Sequence, residues 1–350
     1  MPTKDMKVLL IGGAGYIGGV LTRYLLDRNA NVKCLDSLVY GQGVFVLPFW
    51  NDARYQFILG DLSEPEQFRQ ACAGVDHVVF LGGLVGDPIT QKYPDEAIRI
   101  NQIGVQSALK AIAGCGVEKV VFISTCSNYG ILDSQIMADE NTALRPISAY
   151  ARAKVSAEEY IMKSKQQFDY APVILRFATA FGVSPRMRFD LTVNEFARDL
   201  YFNQALLVYD PDSWRPYCHV MDFSSAIHKV LEAPADKMAY EVFNVGSDEN
   251  NYAKRMIAQE VCRQLGRGIV RYQSGGVDPR NYRVNFAKIR EQLDFKPMWN
   301  LERGVQELLR ALKMNLFGAE RELSLRCGNY AVSMPKNSSI AVVEESSPKC

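Results

Sequence analysis

Residues 7–18 read KVLLIGGAGYIG, and the order of residue types in this dozen decides the fold. An apolar run, Val8 to Ile11, breaks at Gly12 and Gly13, and the next stretch, YIGGVLTRYLLDR, carries helical periodicity. A buried strand that turns through glycines into a helix is a phosphate cradle. One glycine permits the tight turn, another lets backbone N–H groups approach a diphosphate, and Gly18 allows close helix–strand packing at the positive helix terminus. Gly12, Gly15 and Gly18, with Tyr16 and Ile17 between them, are therefore candidate dinucleotide ligands. Asp36 follows at the end of the next apolar run, NVKCLD, where a carboxylate can hold both hydroxyls of a ribose. Residues 37–53 contain no Arg or Lys to receive a 2′-phosphate, so the pattern favours NAD over NADP.

The alternation continues. YQFILGD (55–61), HVVFLGG (77–83), KVVFIST (119–125) and PVILRFA (172–178) are further candidate strands, separated by helical stretches such as NQIGVQSALKAIAGCG. Nearly continuous apolar runs are those of parallel strands covered on both faces. The pattern predicts an α/β fold with a doubly wound parallel sheet. In this frame Asp61 and Leu62 end the third strand near an adenine, and Leu81, Gly82 and Gly83 bring the chain close to the cofactor after the fourth. From about residue 183 the alternation gives way to mixed, interrupted elements of the kind that build the other wall of a cleft. The last thirty or so residues show no periodicity, and no function is assigned to them.

Composition narrows the class. The 350 residues carry a formal net charge of +1 and are 48% hydrophobic and 23% charged, an ordinary globular balance without the basic excess of a nucleic-acid or membrane-surface binder. No apolar run approaches a membrane span, and the short one before Gly12 is not a signal core. Eight scattered cysteines without a CxxC pair read as free thiols, and the expected location is cytoplasmic. His77, His219 and His228 are isolated, so no metal is expected.

The chemistry gathers in two stretches, STCSNYG (124–130) and YARAK (150–154). Tyr150 and Lys154 stack on one helix face. A phenol with pKa about 10 is a poor base at neutral pH unless a neighbouring cation stabilises the phenolate, which Lys154 and an oxidised nicotinamide can do.

Together, GGAGYIG, Asp36, GDL (60–62), STCSNYG and YARAK resemble the extended short-chain dehydrogenase/reductase family, and within it the nucleotide-sugar epimerase and dehydratase branch. The resemblance runs over about residues 7–312. It implies a Rossmann domain for NAD over 1–182, with a later contribution from about 215–245, a substrate-binding region over 183–318, and a tail over 319–350. It also implies a nucleotide-diphosphate sugar as substrate, and a homodimer formed by the helices near 92–114 and 148–165. Thr125 matches the hydroxyl that orients the substrate oxygen, with Tyr150 as base and Lys154 as tuner and ribose ligand. Downstream, WRPYCHVMD (214–222) matches the segment whose arginine, here Arg215, meets the diphosphate. Asn194 falls where relatives place an asparagine near that diphosphate, and Arg280 in DPRNYRV matches a phosphate or base contact.

Departures from the family pattern discriminate between its reactions. The dehydratases and decarboxylases place acids after this Thr; here Cys126 and Ser127 follow, so the expected reaction is 4-epimerisation, with Ser127 on the substrate wall. Cys126 keeps open a ketoreductase or a C3/C5 epimerase-reductase that uses a thiol as acid/base; a non-catalytic NAD-sensing module is the remaining class. Val85 stands where sugar epimerases often carry a lysine. Arg186 and Arg188, in SPRMRFDL, either meet an acidic sugar or diphosphate or lie in solvent.

Overall fold

The computed structural model describes residues 6–41, 43–133, 135–165, 167–276, 278–318 and 327–332. Seven parallel strands form the central sheet: β1 (Lys7–Ile11), β2 (Asn31–Asp36), β3 (Tyr55–Leu59), β4 (His77–Phe80), β5 (Lys119–Thr125), β7 (Ala171–Phe177) and β11 (Val242–Val245). Their spatial order is β11-β7-β5-β4-β1-β2-β3. Each apolar run predicted from sequence became one of these strands, and the three that run into glycine, β1, β3 and β4, stop short of it. Residues along a run feed opposite faces in alternation. Val8, Leu10, Val79 and Val121 join one core, while Leu9, Ile11, Val78 and Val120 join another. Two cores explain the unbroken hydrophobicity: each residue of a doubly covered strand meets packing, whichever way it points.

The smaller sheets belong mainly to the other half. β8 (Thr179–Phe181), β10 (Trp214–His219) and β12 (Asn251–Ala253) form one; β9 (Ala205–Tyr209) pairs with β13 (Ile269–Gln273), and β6 (Met137–Ala138) with β14 (Arg283–Val284). A third core, with Phe181, Phe196, Val261 and Leu308, lies beneath them.

From β1 the chain proceeds outward to β2 and β3, then crosses back to β4 and onward the other way. The cleft beyond the carboxyl ends of β1 and β4 is thus the topological switch point, where open α/β sheets bind ligands. Gly12 leaves β1 there, Asp36 ends β2, Leu81 leaves β4 and Thr125 ends β5. Among the described residues no helix is long and apolar enough to cross a membrane, and no cluster of His, Cys, Asp and Glu could hold a metal.

The segment expected as one helix near 92–114 is built in pieces. Short helices span Asp87–Lys92 and Pro94–Ile98, a wide turn runs over Arg99–Gly104, and a regular helix follows over Val105–Ile112. Pro94 has no N–H for a preceding turn, which breaks the first junction.

Candidate active site

A cavity of about 970 Å³ opens at the switch point. Every residue expected to contact cofactor or substrate lines it except Cys126 and Asn194. Its floor is the glycine turn. Gly12 has φ +76°, and a Cβ there would lie 2.5 Å from Gly82 Cα; one on Gly18 would lie 2.6 Å from Gly13 Cα. Such bare backbone leaves room for a diphosphate beside the start of the helix Tyr16–Leu26. Asp36 accepts the Ala14 N–H at 3.0 Å and the Leu38 N–H at 2.8 Å, which fixes its carboxylate at the rim. Burial pushes this carboxyl up; the two N–H groups and the charge of Arg186 oppose it. A cradle that a side chain would fill and a carboxylate fixed at the end of the second strand are what NAD requires, so the residues fit that cofactor. Asp61 lines the cavity with its carboxylate held by Ser63 (2.6 Å to Oγ) and Arg99 (3.2 Å).

The helix Ala149–Lys163 starts on the Ser148 side chain, which accepts the Ala151 N–H at 3.1 Å. Tyr150, Lys154 and Glu158 follow at four-residue spacing down one face. Lys154 donates to the Ile123 carbonyl at 2.7 Å, and its ammonium lies 5.9 Å from the centre of the Tyr150 ring. Burial lowers its pKa to about 8, against the opposing charge of Glu158. Tyr150 differs from expectation. Burial pushes its phenol above the ordinary value, and the cation that most opposes this is Arg188, followed by Arg280; Asp87 raises it further. Arg188, a residue the sequence left undecided between site and solvent, thus acts with Arg280 against the effect of burial on Tyr150. Thr125 Oγ1 accepts the Ser127 N–H at 3.1 Å and so caps the turn Cys126–Tyr129, keeping its own proton to donate into the cavity.

Two expectations are corrected. Cys126 turns away from the cavity: it is fully buried, its thiol lies 3.2 Å from the Arg176 carbonyl, and burial pushes its pKa well up. A core thiol of this kind cannot reach a sugar as acid/base. Asn194 lies behind the wall, fully buried, with its amide spent on Gly182 N (3.0 Å), the Tyr16 hydroxyl (3.0 Å) and the Arg188 carbonyl (2.9 Å). It braces Tyr16 and Arg188 and touches no ligand space.

The opposite wall is a chain of charges. Arg215 pairs with Asp278 at 3.1 Å and donates to the Arg280 carbonyl. Arg280 pairs with Asp278 at 2.7 Å, with Asp87 at 3.0 Å, and reaches the Ser127 hydroxyl at 3.1 Å. Both arginines are more tightly held than an exposed ion pair would be. The sequence reading missed Asp87, Tyr40 and Asn329, which also line the cavity. GDP (86–88) at the end of a Gly-rich exit was a usable signal for Asp87; nothing local marked Asn329.

The family model for the NAD dependent epimerase/dehydratase family matches residues 8–246. The chain belongs to this family. The chain is similar to the UDP-glucose 4-epimerase of Halalkalibacterium halodurans, 27% identical over 279 residues that cover 74% of this chain and 80% of that protein. Among solved structures, the dTDP-glucose 4,6-dehydratase from Streptomyces venezuelae with NAD bound superposes with a TM-score of 0.81 at 24% identity, covering 89% of this chain and 99% of that one. The UDP-glucuronic acid 4-epimerase from Bacillus cereus, solved with UDP-glucuronic acid and NAD, gives 0.80 at 22%, covering 88% and 99%. Epimerases and dehydratases thus share this fold, and the chain is an NAD-dependent enzyme of the epimerase/dehydratase family.

Proposed function

We propose that this family member is a nucleotide-sugar 4-epimerase. One observation carries the choice over dehydration: of the two residues after Thr125, Cys126 faces the core and Ser127 presents a hydroxyl held by Arg280, so no carboxylic acid stands there to expel water. NAD, when bound, supplies the acceptor and later the donor of hydride. Tyr150 takes the proton of the sugar 4-hydroxyl and returns it after the 4-keto sugar has turned its other face. Thr125 donates to the same oxygen and fixes its distance from Tyr150. Lys154, anchored on Ile123, holds the ribose side of the cofactor, and Arg188 favours the phenolate. Arg215 and Arg280 bind the sugar nucleotide's diphosphate, and their acidic partners Asp278 and Asp87 orient them. The net reaction is redox-neutral, which suits a cofactor retained through turnover. The proposal includes a homodimer through the segments 94–112 and 149–163, where Ile98 and Ile103 are exposed; sedimentation at micromolar concentration tests it.

The deciding assay incubates the protein with UDP-glucose or UDP-glucuronic acid, without added NAD, and follows the C4 proton by NMR. Interconversion of the C4 epimers without net change at 340 nm is expected, with loss of at least 10³-fold in Tyr150→Phe. A product lacking water, or one formed only with added NADH or NADPH, would sink the reading.

A further inference from the structure

Residues 327–332 are the last described part of the chain, and they lie across the cavity. Phe189 donates its N–H to the Cys327 carbonyl at 2.7 Å, and Arg186 donates to the Gly328 carbonyl at 3.2 Å. The Asn329 N–H bonds the Asp190 carboxylate, and its side-chain amide donates to the Val85 carbonyl at 2.7 Å. Lys92 donates to the Tyr330 carbonyl at 3.1 Å. Cys327 packs on the core of the smaller half and Val332 on a core of the large sheet. One short stretch therefore straps the loop after β4 to the segment 186–190 on the opposite wall. Asn329 itself lines the cavity, 5% exposed.

Arg186 lies under this strap. It is 3% exposed, lines the cavity and stacks its guanidinium 4.5 Å over the Tyr40 ring. Its neighbour Arg188 is matched by a bidentate Asp190, at 3.1 and 2.6 Å. Arg186 has no such match: among the described residues it makes no ion pair, and its five N–H donors find one carbonyl, that of Gly328. Burial and the adjacent charge of Arg188 lower its pKa to about 10. A guanidinium withdrawn from water with one hydrogen-bond acceptor, and with Asp190 and Asp36 acting on it without an ion pair, is costly unless an anion completes the site.

Position identifies the anion. Pro185 packs within 3.6 Å of where a Gly19 side chain would begin, which sets Arg186 beside the first turns of the Tyr16–Leu26 helix. Arg186 and Arg188 line the same cavity as the glycine turn, with Asp36 at its ribose end and Tyr150 at its redox end. Between the two riboses of a dinucleotide lies its diphosphate. We propose that Arg186, held by the strap Cys327–Val332, is a second clamp on the NAD diphosphate, and that the strap closes the cavity so that bound NAD leaves only when it lifts. The inference rests on the NAD dependence of the family and not on 4-epimerisation, so the two readings can fail separately.

The test uses the full chain and measures binding. The release rate of NADH is read by its fluorescence on displacement with excess NAD, and ADP and adenosine are titrated as ligands with and without a diphosphate. Arg186→Met is expected to weaken ADP at least tenfold while changing adenosine less than twofold, and Arg186→Lys to recover part of the ADP affinity. Asn329→Ala is expected to speed NADH release at least fivefold. Release within twofold of the parent in Asn329→Ala, or equal losses for ADP and adenosine in Arg186→Met, overturns the proposal. If Arg186→Met does not fold, the Asn329→Ala rate and the Arg186→Lys titration decide it.

Discussion

Lys154 occupies a position that favours function over stability. Its pKa in the folded protein is about 8, below the ordinary lysine value of about 10.4, because burial penalises the ammonium. The folded state therefore binds fewer protons than the unfolded chain between pH 8 and the ordinary value. Stability rises with pH across that window, and the penalty is fully present below it. At pH 7 it is on the order of 3 kcal/mol, offset in part by the bond to Ile123. Lys154→Met is accordingly expected to stabilise the nucleotide-free protein by about 1–3 kcal/mol at pH 7, and by nothing near pH 10.5, while activity falls about 10²-fold or more. Urea titrations at the two pH values check the sign; a destabilised variant at pH 7 would contradict it. Cys126 gives the opposite case. With its thiol facing the core, Cys126→Ala should keep activity within about threefold while losing roughly 1 kcal/mol of stability to the lost packing. An activity loss of 100-fold with native stability would restore the thiol to the chemistry.

At the level of elements, the helix Ala149–Lys163 is fastened to the sheet by a buried ion pair as well as by the bond from Lys154 to Ile123. Glu158, one turn beyond Lys154, meets Arg176 of β7 at 2.7 and 3.1 Å, accepts from Asn128 at 2.8 Å, and bonds Ser124. This network answers why STCSNYG is so polar just after a buried strand. Ser124 and Asn128 serve the ion pair beneath the site, and Thr125 and Ser127 serve the site itself. Removing one partner strands a buried charge, so Arg176→Met should cost about 3–5 kcal/mol, read from the urea midpoint, whereas an exposed pair such as Lys163–Glu159 should cost under about 1 kcal/mol. The strands and the glycine turn were legible because their causes are local: apolar runs, bare glycines, an acid at a strand end. The breaks within 92–112 were less so, since the wide turn at Arg99–Gly104 depends on Gly104 passing close to Leu62, forty-two residues away. Cys126 and Asn194 were misplaced for a related reason. A motif fixes where a residue falls along the chain, but which way its side chain turns is set by distant partners, Arg176 for one and Tyr16 for the other. Asn329 lacked even a motif; only the folded chain brings it to Val85.

Across the whole molecule, the pair Asp87–Arg280 is one of the contacts that join the two walls of the cavity. Asp87 belongs to the exit of β4 and Arg280 to the segment before β14, and their charged groups lie 3.0 Å apart with each side chain 20% exposed. Asp87 therefore does two things at once. It aims Arg280 at the substrate side, next to Ser127, and its negative charge raises the pKa of Tyr150. Asp87→Asn separates these effects. Loss of the ion pair should raise KM for the sugar nucleotide about tenfold, since an arginine freed from one of its two acids is less well oriented, while Asp278 still holds it. Loss of the charge acts the other way on chemistry. With one anion fewer beside it, the phenolate is easier to form, so the rising limb of kcat against pH should move to lower pH. A merely structural role for Asp87 would raise KM and leave that limb in place. The pH profile of kcat in Asp87→Asn, measured at saturating substrate, thus reports whether the contact between the two walls also sets the proton affinity of Tyr150, the proposed base.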